Sequence, residues 1–503
     1  MSTTAAPHLP PRLLPLSGLD ALFLHLETAE MPMHVGSLSL LEPPAGYTGG
    51  FVEDVRRHMA ARLHLAPAFT RQWAEMPLGL ANPVWIDVPD VNVVHHIHHV
   101  QLPRPGTLAQ LEACVARLHG QLLDRNRPLW ALYSIESLKS GAIGYYAKVH
   151  HAAIDGVAGI ALAKAMLDIT PQPREVPPPP AAAGTAAAPA ATDLLGAAAR
   201  TTWNQLRKAA ALLPTAAKTG SQALAQGVGQ LLFGAAATAK GTFALGPRTA
   251  LNGAITARRA YGTLSLPLPQ FKATAAALEV TLNDLVLAVC AGALRAWLAQ
   301  HGGVPRTTLY AGVPFSLRAA GDARSDNQVS MMRAQLATQI ADPARRLAAI
   351  HASMAMGKQL TGSLRALVPT DYPSLGAPWL LAGLTALVGR TPLAAHIPLL
   401  ANVAISNVTG PPVPLYLAGA RMTHYWPASI VVHGVGLNIT VQSYCDWLEV
   451  GLTACRDSVP DLPKFKGMLK AAFAEYVALA KKKAKPTAKP RKRVARAKAR
   501  APR

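Results

Sequence analysis

The sequence predicts a mixed α/β protein built from two domains in tandem, and three observations carry that expectation. Between Leu16 and about Thr170, runs rich in β-favouring residues (84–88, 91–100, 131–135 and 142–149) alternate with stretches of helical spacing. Between Pro171 and Thr192, seven prolines and eight alanines fill 15 of 22 positions, a composition that builds no ordinary core element and reads as an extended linker. Beyond it a second series of elements opens near Leu251 and closes on two well-alternating runs, 430–444 and 448–454. The expected division is residues 1–170, a Pro/Ala-rich linker with amphipathic helices over 171–250, a second domain over 251–480, and a tail over 481–503.

Half of the 503 residues are hydrophobic, enough for large cores. The formal charge of +22 suggests a polyanionic partner until its location is considered: residues 481–503 hold seven Lys and five Arg with no acid, leaving about ten of those charges for the other 480 residues. A basic tail interleaved with Ala and Pro has nothing to bury and is expected to be disordered, drawn to an anionic membrane or lipid-body surface, with nucleic acid as the alternative polyanion. Four cysteines, Cys114, Cys290, Cys445 and Cys455, show no CxxC spacing, which fits buried thiols in a reducing compartment. Residues 1–15 contain one charged side chain, Arg12, and are broken by prolines, so no secretion signal is expected there.

In the linker region Leu195, Ala199, Trp203, Leu206, Ala210 and Leu213 share one helical face, with Arg200, Asn204, Arg207 and Lys208 opposite. This basic amphipathic helix either packs on the body or lies on anionic lipid with Trp203 at the boundary. Residues 219–239 and 372–389 are uncharged; the polar and glycine content of the first and Pro373 and Pro378 in the second argue against spans. In the second domain residues 261–268 read as a strand, Thr281 caps a helix opening at Asn283-Asp284 and running to about Leu298, and a helix over 462–480 precedes the tail.

The chemistry is expected at Val149-His150-His151-Ala152-Ala153-Ile154-Asp155-Gly156, where the run 142–149 stops and a helical pattern over 157–169 begins. Successive strand side chains point to opposite faces, so if the strand persists through the pair, one histidine faces a channel and the other the core. Asp155 can fold back to hydrogen-bond or ion-pair, and Gly156 permits a backbone conformation that a Cβ would obstruct. His95, His96, His98 and His99 invite a metal reading, with His96 and His98 on one strand face and His95 and His99 on the other. No Cys or carboxylate cluster accompanies either pair to complete a zinc shell, so no metal site is expected and packing or channel lining is the reading for His96. Neither a GxSxG elbow nor a Walker A or GxGxxG motif is present, which leaves a base without a protein nucleophile.

The HHxxxDG pattern resembles that of CoA-dependent acyltransferases, and an ordered set of further motifs narrows the resemblance to bacterial wax ester synthase/diacylglycerol acyltransferase. The set comprises Leu16-Ser17-Gly18-Leu19-Asp20-Ala21, Met33-His34-Val35-Gly36, Arg127-Pro128-Leu129-Trp130, the ND motif in Leu282-Asn283-Asp284, Val313-Pro314-Phe315-Ser316-Leu317-Arg318, Ser406-Asn407-Val408-Thr409-Gly410-Pro411 and Gly436-Leu437-Asn438-Ile439-Thr440. The resemblance implies two chloramphenicol-acetyltransferase-like α/β domains with an active channel between them. It implies His151 as general base, His150, Asp155 and Gly156 as its supports, acyl-CoA as co-substrate with no bound cofactor or metal, and diacylglycerol or a long-chain alcohol as acceptor. Asn283 is a candidate oxyanion donor, because an Asn amide at a helix start can donate to an oxyanion. A cytoplasmic enzyme peripherally attached to the inner membrane face and lipid bodies is the matching location. Two competing readings are a condensation-type or other CoA-dependent acyltransferase with an amine or carrier-bound acceptor, and a non-enzymatic lipid-body or nucleic-acid-associated protein.

Overall fold

The computed structural model describes residues 13–76, 82–88, 90–154, 156–179, 245–316, 329–364 and 399–484, together with Thr192, Asp193, Gly196, Trp203 and Arg207. The expectations for Asp155, for Leu317 and Arg318, for the linker from residue 180, for most of the helix at 195–213, for 219–239 and 372–389, and for the tail from 485 lie outside the described residues. In chain order the first half consists of β1 (Leu14–Pro15), α1 (Gly18–Leu26), β2 (His34–Glu42), α2 (Phe51–Ala60), α3 (Pro67–Thr70), β3 (Arg71–Ala74), β4 (Val84–Asp87), β5 (Ile97–Gln101), α4 (Leu108–His119), β6 (Trp130–Glu136), β7 (Ile143–His150) and α5 (Gly156–Met166). The second half consists of β8 (Arg259–Pro267), α6 (Leu268–Leu278), α7 (Leu282–Gln300), β9 (Tyr310–Ser316), β10 (Val329–Gln335), α8 (Pro343–Leu364), β11 (Val403–Val408), β12 (Tyr416–Leu417), β13 (Ala420–Ala428), β14 (Leu437–Tyr444), β15 (Trp447–Cys455) and α9 (Leu462–Ala484).

Two six-stranded sheets organise these elements, with strand orders β12-β13-β2-β7-β6-β5 and β10-β9-β11-β14-β15-β8. Strand β7 lies inside the first sheet between β2 and β6, and all eight of its residues are buried, which is why it is largely apolar rather than alternating; buried Lys148 interrupts the run and donates to the Leu118 (2.9 Å) and Gln121 (2.7 Å) carbonyls. The second core forms around α7, whose Leu285, Leu287, Ala288, Leu294 and Trp297 are fully buried. Among the described residues α7 is the helix long and apolar enough to cross a membrane, yet most of it lies inside this core. The expected Thr281 cap is present: Asp284 N donates to Thr281 Oγ1 (3.2 Å) and Thr281 N to Asp284 Oδ2 (3.1 Å), so the helix end satisfies its own orphan donors.

Three local expectations change. The run 84–88 forms a strand, but in a separate three-stranded sheet of order β1-β4-β3. The run 91–100 is a short 3-10 turn (Val93–His95) followed by β5, so His95 is not on the strand and the same-face histidine pairs do not form. The run 430–444 is strand only from Leu437, as β14. His96 is buried, donates from Nδ1 to the Trp130 carbonyl (2.9 Å) and stacks on the Trp130 ring (4.0 Å), which is a packing role. Among the described residues no group of His, Cys, Asp and Glu could hold a metal ion.

A division by sequence alone also misplaces one stretch: β12 and β13 fall within 251–480 but hydrogen-bond into the first sheet, β13 pairing with β2 from Arg421↔Glu42 to Ala428↔Gly36. The physical reason is edge satisfaction, since without β13 the outer side of β2 would present unpaired N–H and C=O groups. The chain then returns to its own sheet through β14, passing so close that a Cβ on Gly451 of β15 would lie 1.7 Å from the Pro427 carbonyl oxygen. Buried polar bonds fasten the two halves at this crossing. His119 Nε2 donates to the Ser429 carbonyl (2.9 Å), His424 Nδ1 to Glu449 Oε1 (2.8 Å), and Glu112 Oε1 accepts from Thr263 N, Thr263 Oγ1 and Lys466 Nζ (each 2.7 Å).

Candidate active site

The histidine pair stands where β7 ends. His150 is the last strand residue, opposite His34 of β2, and is completely buried; His151 opens a 3-10 turn (His151–Ala153) and is half-buried. The strand therefore does not persist through the pair, as the alternation argument required, and the turn separates the rings instead. His150 lies in the core and His151 is partly exposed. His151 stacks on Phe23 of α1 with ring centroids 4.1 Å apart and planes 18° apart. Burial pushes its imidazole down to about 4, with His150 adding to the effect, so the ring is neutral near pH 7.

The carboxylate that meets the pair within the described residues is Glu27, at the C-terminal end of α1. Its Oε1 lies 3.3 Å from His150 Nε2, an ion-pair distance short of an aligned hydrogen bond, and accepts from Met33 N (3.1 Å). Its Oε2 accepts from Arg125 Nη2 (2.9 Å) and Nε (3.2 Å). Burial alone would raise this carboxyl, but the nearby His150 ring and the hydrogen bonds from Met33 and Arg125 outweigh it and hold the group at about 2. The other ring nitrogen of His150, Nδ1, accepts from Ala152 N (3.1 Å), which closes the turn under His151. Backbone bonds complete the mounting: His150 N donates to the Leu129 carbonyl (2.9 Å) and His151 N to the Met33 carbonyl (2.8 Å). The Pro128-Leu129-Trp130 and Met33-His34 segments thus flank the motif directly. Trp130 anchors the first of them by donating from Nε1 to the Phe69 carbonyl (3.0 Å).

The remaining candidates are placed differently. Gly156 opens α5, and Asp155 lies outside the described residues. Asn283 is in the first turn of α7 in the second half, where its Oδ1 accepts from Asn407 Nδ2 of β11 (3.4 Å); no hydrogen bond among the described residues joins it to either histidine. Its neighbour Asp284 is buried, caps α7 and accepts from His351 Nδ1 (2.8 Å), a structural role. The cysteines Cys114, Cys290 and Cys455 are buried and none of the four is in a disulfide, in line with structural thiols. A cleft of about 350 Å³ lined by Asp54, Arg57, His58, Arg62 and Arg174 includes neither motif histidine. It lies at the far end of α5, where Arg174 donates to the Leu167 carbonyl (2.8 Å) and to buried Asp168 (2.7 Å).

Sequence reading missed Phe23, Glu27 and Arg125. The available signal was the i, i+4 spacing of Phe23 and Glu27, with the acid standing at the end of α1 six residues ahead of Met33.

A neutral, partly exposed imidazole thus stands at a strand end with a second, buried histidine behind it, in a body built on two six-stranded sheets. Comparison with known proteins is specific. Residues 16–286 match the wax ester synthase/diacylglycerol acyltransferase catalytic domain, and residues 325–476 match the C-terminal domain of the same family. A putative diacylglycerol O-acyltransferase of Mycobacterium tuberculosis is 38% identical over 460 residues, 92% of this chain and 98% of its own. The O-acyltransferase WSD of Acinetobacter baylyi is 33% identical over 447 residues, 89% and 93% of the two chains. The solved wax ester synthase/diacylglycerol acyltransferase of Marinobacter aquaeolei superposes with a TM-score of 0.66 at 29% identity, covering 93% of this chain and all of that one. The first condensation domain of the calcium-dependent antibiotic synthetase superposes at 0.52 with 15% identity over 93% and 97% of the chains, a likeness of fold alone. The chain belongs to the wax ester synthase/diacylglycerol acyltransferase family and is an acyltransferase.

Proposed function

We propose that the protein transfers a long-chain acyl group from acyl-CoA to the hydroxyl of diacylglycerol or of a long-chain alcohol, with His151 as general base and both substrates bound together. The observation that carries this reading is the neutral, half-buried His151 ring held at the end of β7. The acceptor oxygen attacks the thioester carbonyl as His151 takes its proton; the C–S bond breaks, and the same proton passes to the departing CoA thiolate. Oxygen, sulfur and proton are then accounted for without an acyl-enzyme, a metal or a further cofactor. Replacing His151 with Ala is expected to lower turnover by about 10²–10⁴-fold while acyl-CoA still binds. Purified protein incubated with long-chain acyl-CoA and hexadecanol, diacylglycerol or a fatty amine, with products separated by chromatography, identifies the acceptor. An acyl adduct on the protein that forms without alcohol and chases into ester would refute direct transfer.

The same reading puts the enzyme on the cytoplasmic face of the membrane and on lipid bodies. Lys481, Lys482 and Lys483 are exposed at the end of α9, where the basic tail begins, which supports electrostatic attachment to an anionic surface. Deletion of residues 481–503 is expected to weaken flotation with anionic liposomes more than it lowers turnover of dispersed substrate. Unchanged flotation sinks the lipid role, and loss of DNA binding without loss of flotation assigns the tail to nucleic acid.

A further inference from the structure

We propose that Glu27 is the positioning carboxylate of the histidine pair, acting on His151 through His150 and Met33; the proposal rests on the reading of His151 as base. A buried carboxylate is costly unless its bonds compensate for lost water, and two partners of Glu27, His150 and Met33, bond directly to the turn that carries His151. One route runs through a side chain. Because His150 Nδ1 accepts from Ala152 N (3.1 Å), the ring proton is placed on Nε2, facing Glu27 Oε1 at 3.3 Å. The opposite tautomer would set an N–H against the Ala152 N–H and leave Glu27 facing a lone pair, so the negative charge selects the ring state that closes the His151–Ala153 turn.

The other route runs through the backbone. Met33 donates its N–H to Glu27 Oε1 (3.1 Å), and its carbonyl accepts the N–H of His151 (2.8 Å). Both routes converge on one residue. Phe23, one helical turn before Glu27 on α1, adds a third restraint by stacking on the His151 ring at 4.1 Å. Arg125 fixes the carboxylate from the far side, and is itself held by its bond to the Leu24 carbonyl (3.0 Å) and by the Trp73 ring, whose centroid is 5.2 Å from the guanidinium carbon. An oriented base loses rate steeply when displaced by about 1 Å, which is how a residue that touches no substrate governs turnover.

The test compares Glu27→Gln, Glu27→Asp and Glu27→Ala, alone and with His150→Ala, against His151→Ala, measuring kcat, KM for acyl-CoA and for alcohol, and thermal midpoint. Glu27→Gln keeps the shape and removes the charge. It is expected to lower kcat by roughly 10–100-fold with both KM values unchanged, and Glu27→Asp to recover part of that loss. The Glu27→Ala loss should shrink in the His150→Ala background, since one of its two routes is already cut. Wild-type kcat in Glu27→Gln overturns the proposal, as do losses that multiply in full with those of His150→Ala. Should Glu27→Ala fail to fold, Glu27→Gln carries the decision. If His151→Ala stays active, the base reading fails; if it is inactive while the Glu27 variants turn over normally, the positioning proposal fails alone.

Discussion

Lowering the pH from 7 to 5 tests how the first half of the molecule is held together, because its buried histidines are built to be neutral. Burial pushes His96 and His151 down to about 4 and His119 to about 3, and places His34 well below its ordinary value too. The unfolded chain takes up these protons near the ordinary histidine value of about 6.5, whereas the fold resists them until the pH nears 4 or lower. Between those limits the unfolded state binds more protons, so stability is full above about 6.5 and falls as the pH drops. At pH 5 His96, His119 and His151 each cost about 2 kcal/mol and together about 6 kcal/mol, a large part of the roughly 5–15 kcal/mol that holds a typical protein folded. Glu27 does not offset this loss, since its carboxyl is held at about 2 and its contribution erodes only as the pH falls from about 4.5 toward 2. Urea unfolding followed by tryptophan fluorescence at constant ionic strength, from pH 7.5 to 5, should show the midpoint falling steadily below pH 6.5. His96→Gln, which keeps a donor for the Trp130 carbonyl, should reduce the pH slope by roughly 1.4 kcal/mol per unit. A midpoint that is flat between pH 7 and 5 would refute the reasoning.

Glu112→Ala leaves Lys466 and the Thr263 N–H without their buried carboxylate and is expected to cost about 3–5 kcal/mol in chemical denaturation, with Glu112→Gln less costly. Gly451→Ala drives a methyl against the Pro427 carbonyl oxygen at the crossing of the two sheets; a loss of about 1–3 kcal/mol or more should appear as a lower thermal midpoint. Trp130→Ala empties the space between Phe69 and His96 and should cost about 3–5 kcal/mol by denaturant titration. It should also lower turnover, because the adjoining Leu129 carbonyl receives the His150 N–H.

The sequence by itself determined the local grammar and the position of the chemistry. Apolar continuity marked β7 as an interior strand, Thr281 and Asp284 declared the start of α7, and His150-His151 identified the corner where the strand gives way to a turn, all of which depend on neighbours within a few residues. Only the tertiary structure decided which distant groups meet there. Glu27 lies 123 positions before His150 and Arg125 another 98 after Glu27, separations over which periodicity carries no information. The donation of β13 to the first sheet was hidden for a similar reason: its alternation fits either sheet, and the free edge of β2 that it satisfies exists only once the first sheet has formed. Burial worked the same way on His96, His119 and His151, whose protonation depends on water excluded by segments far along the chain.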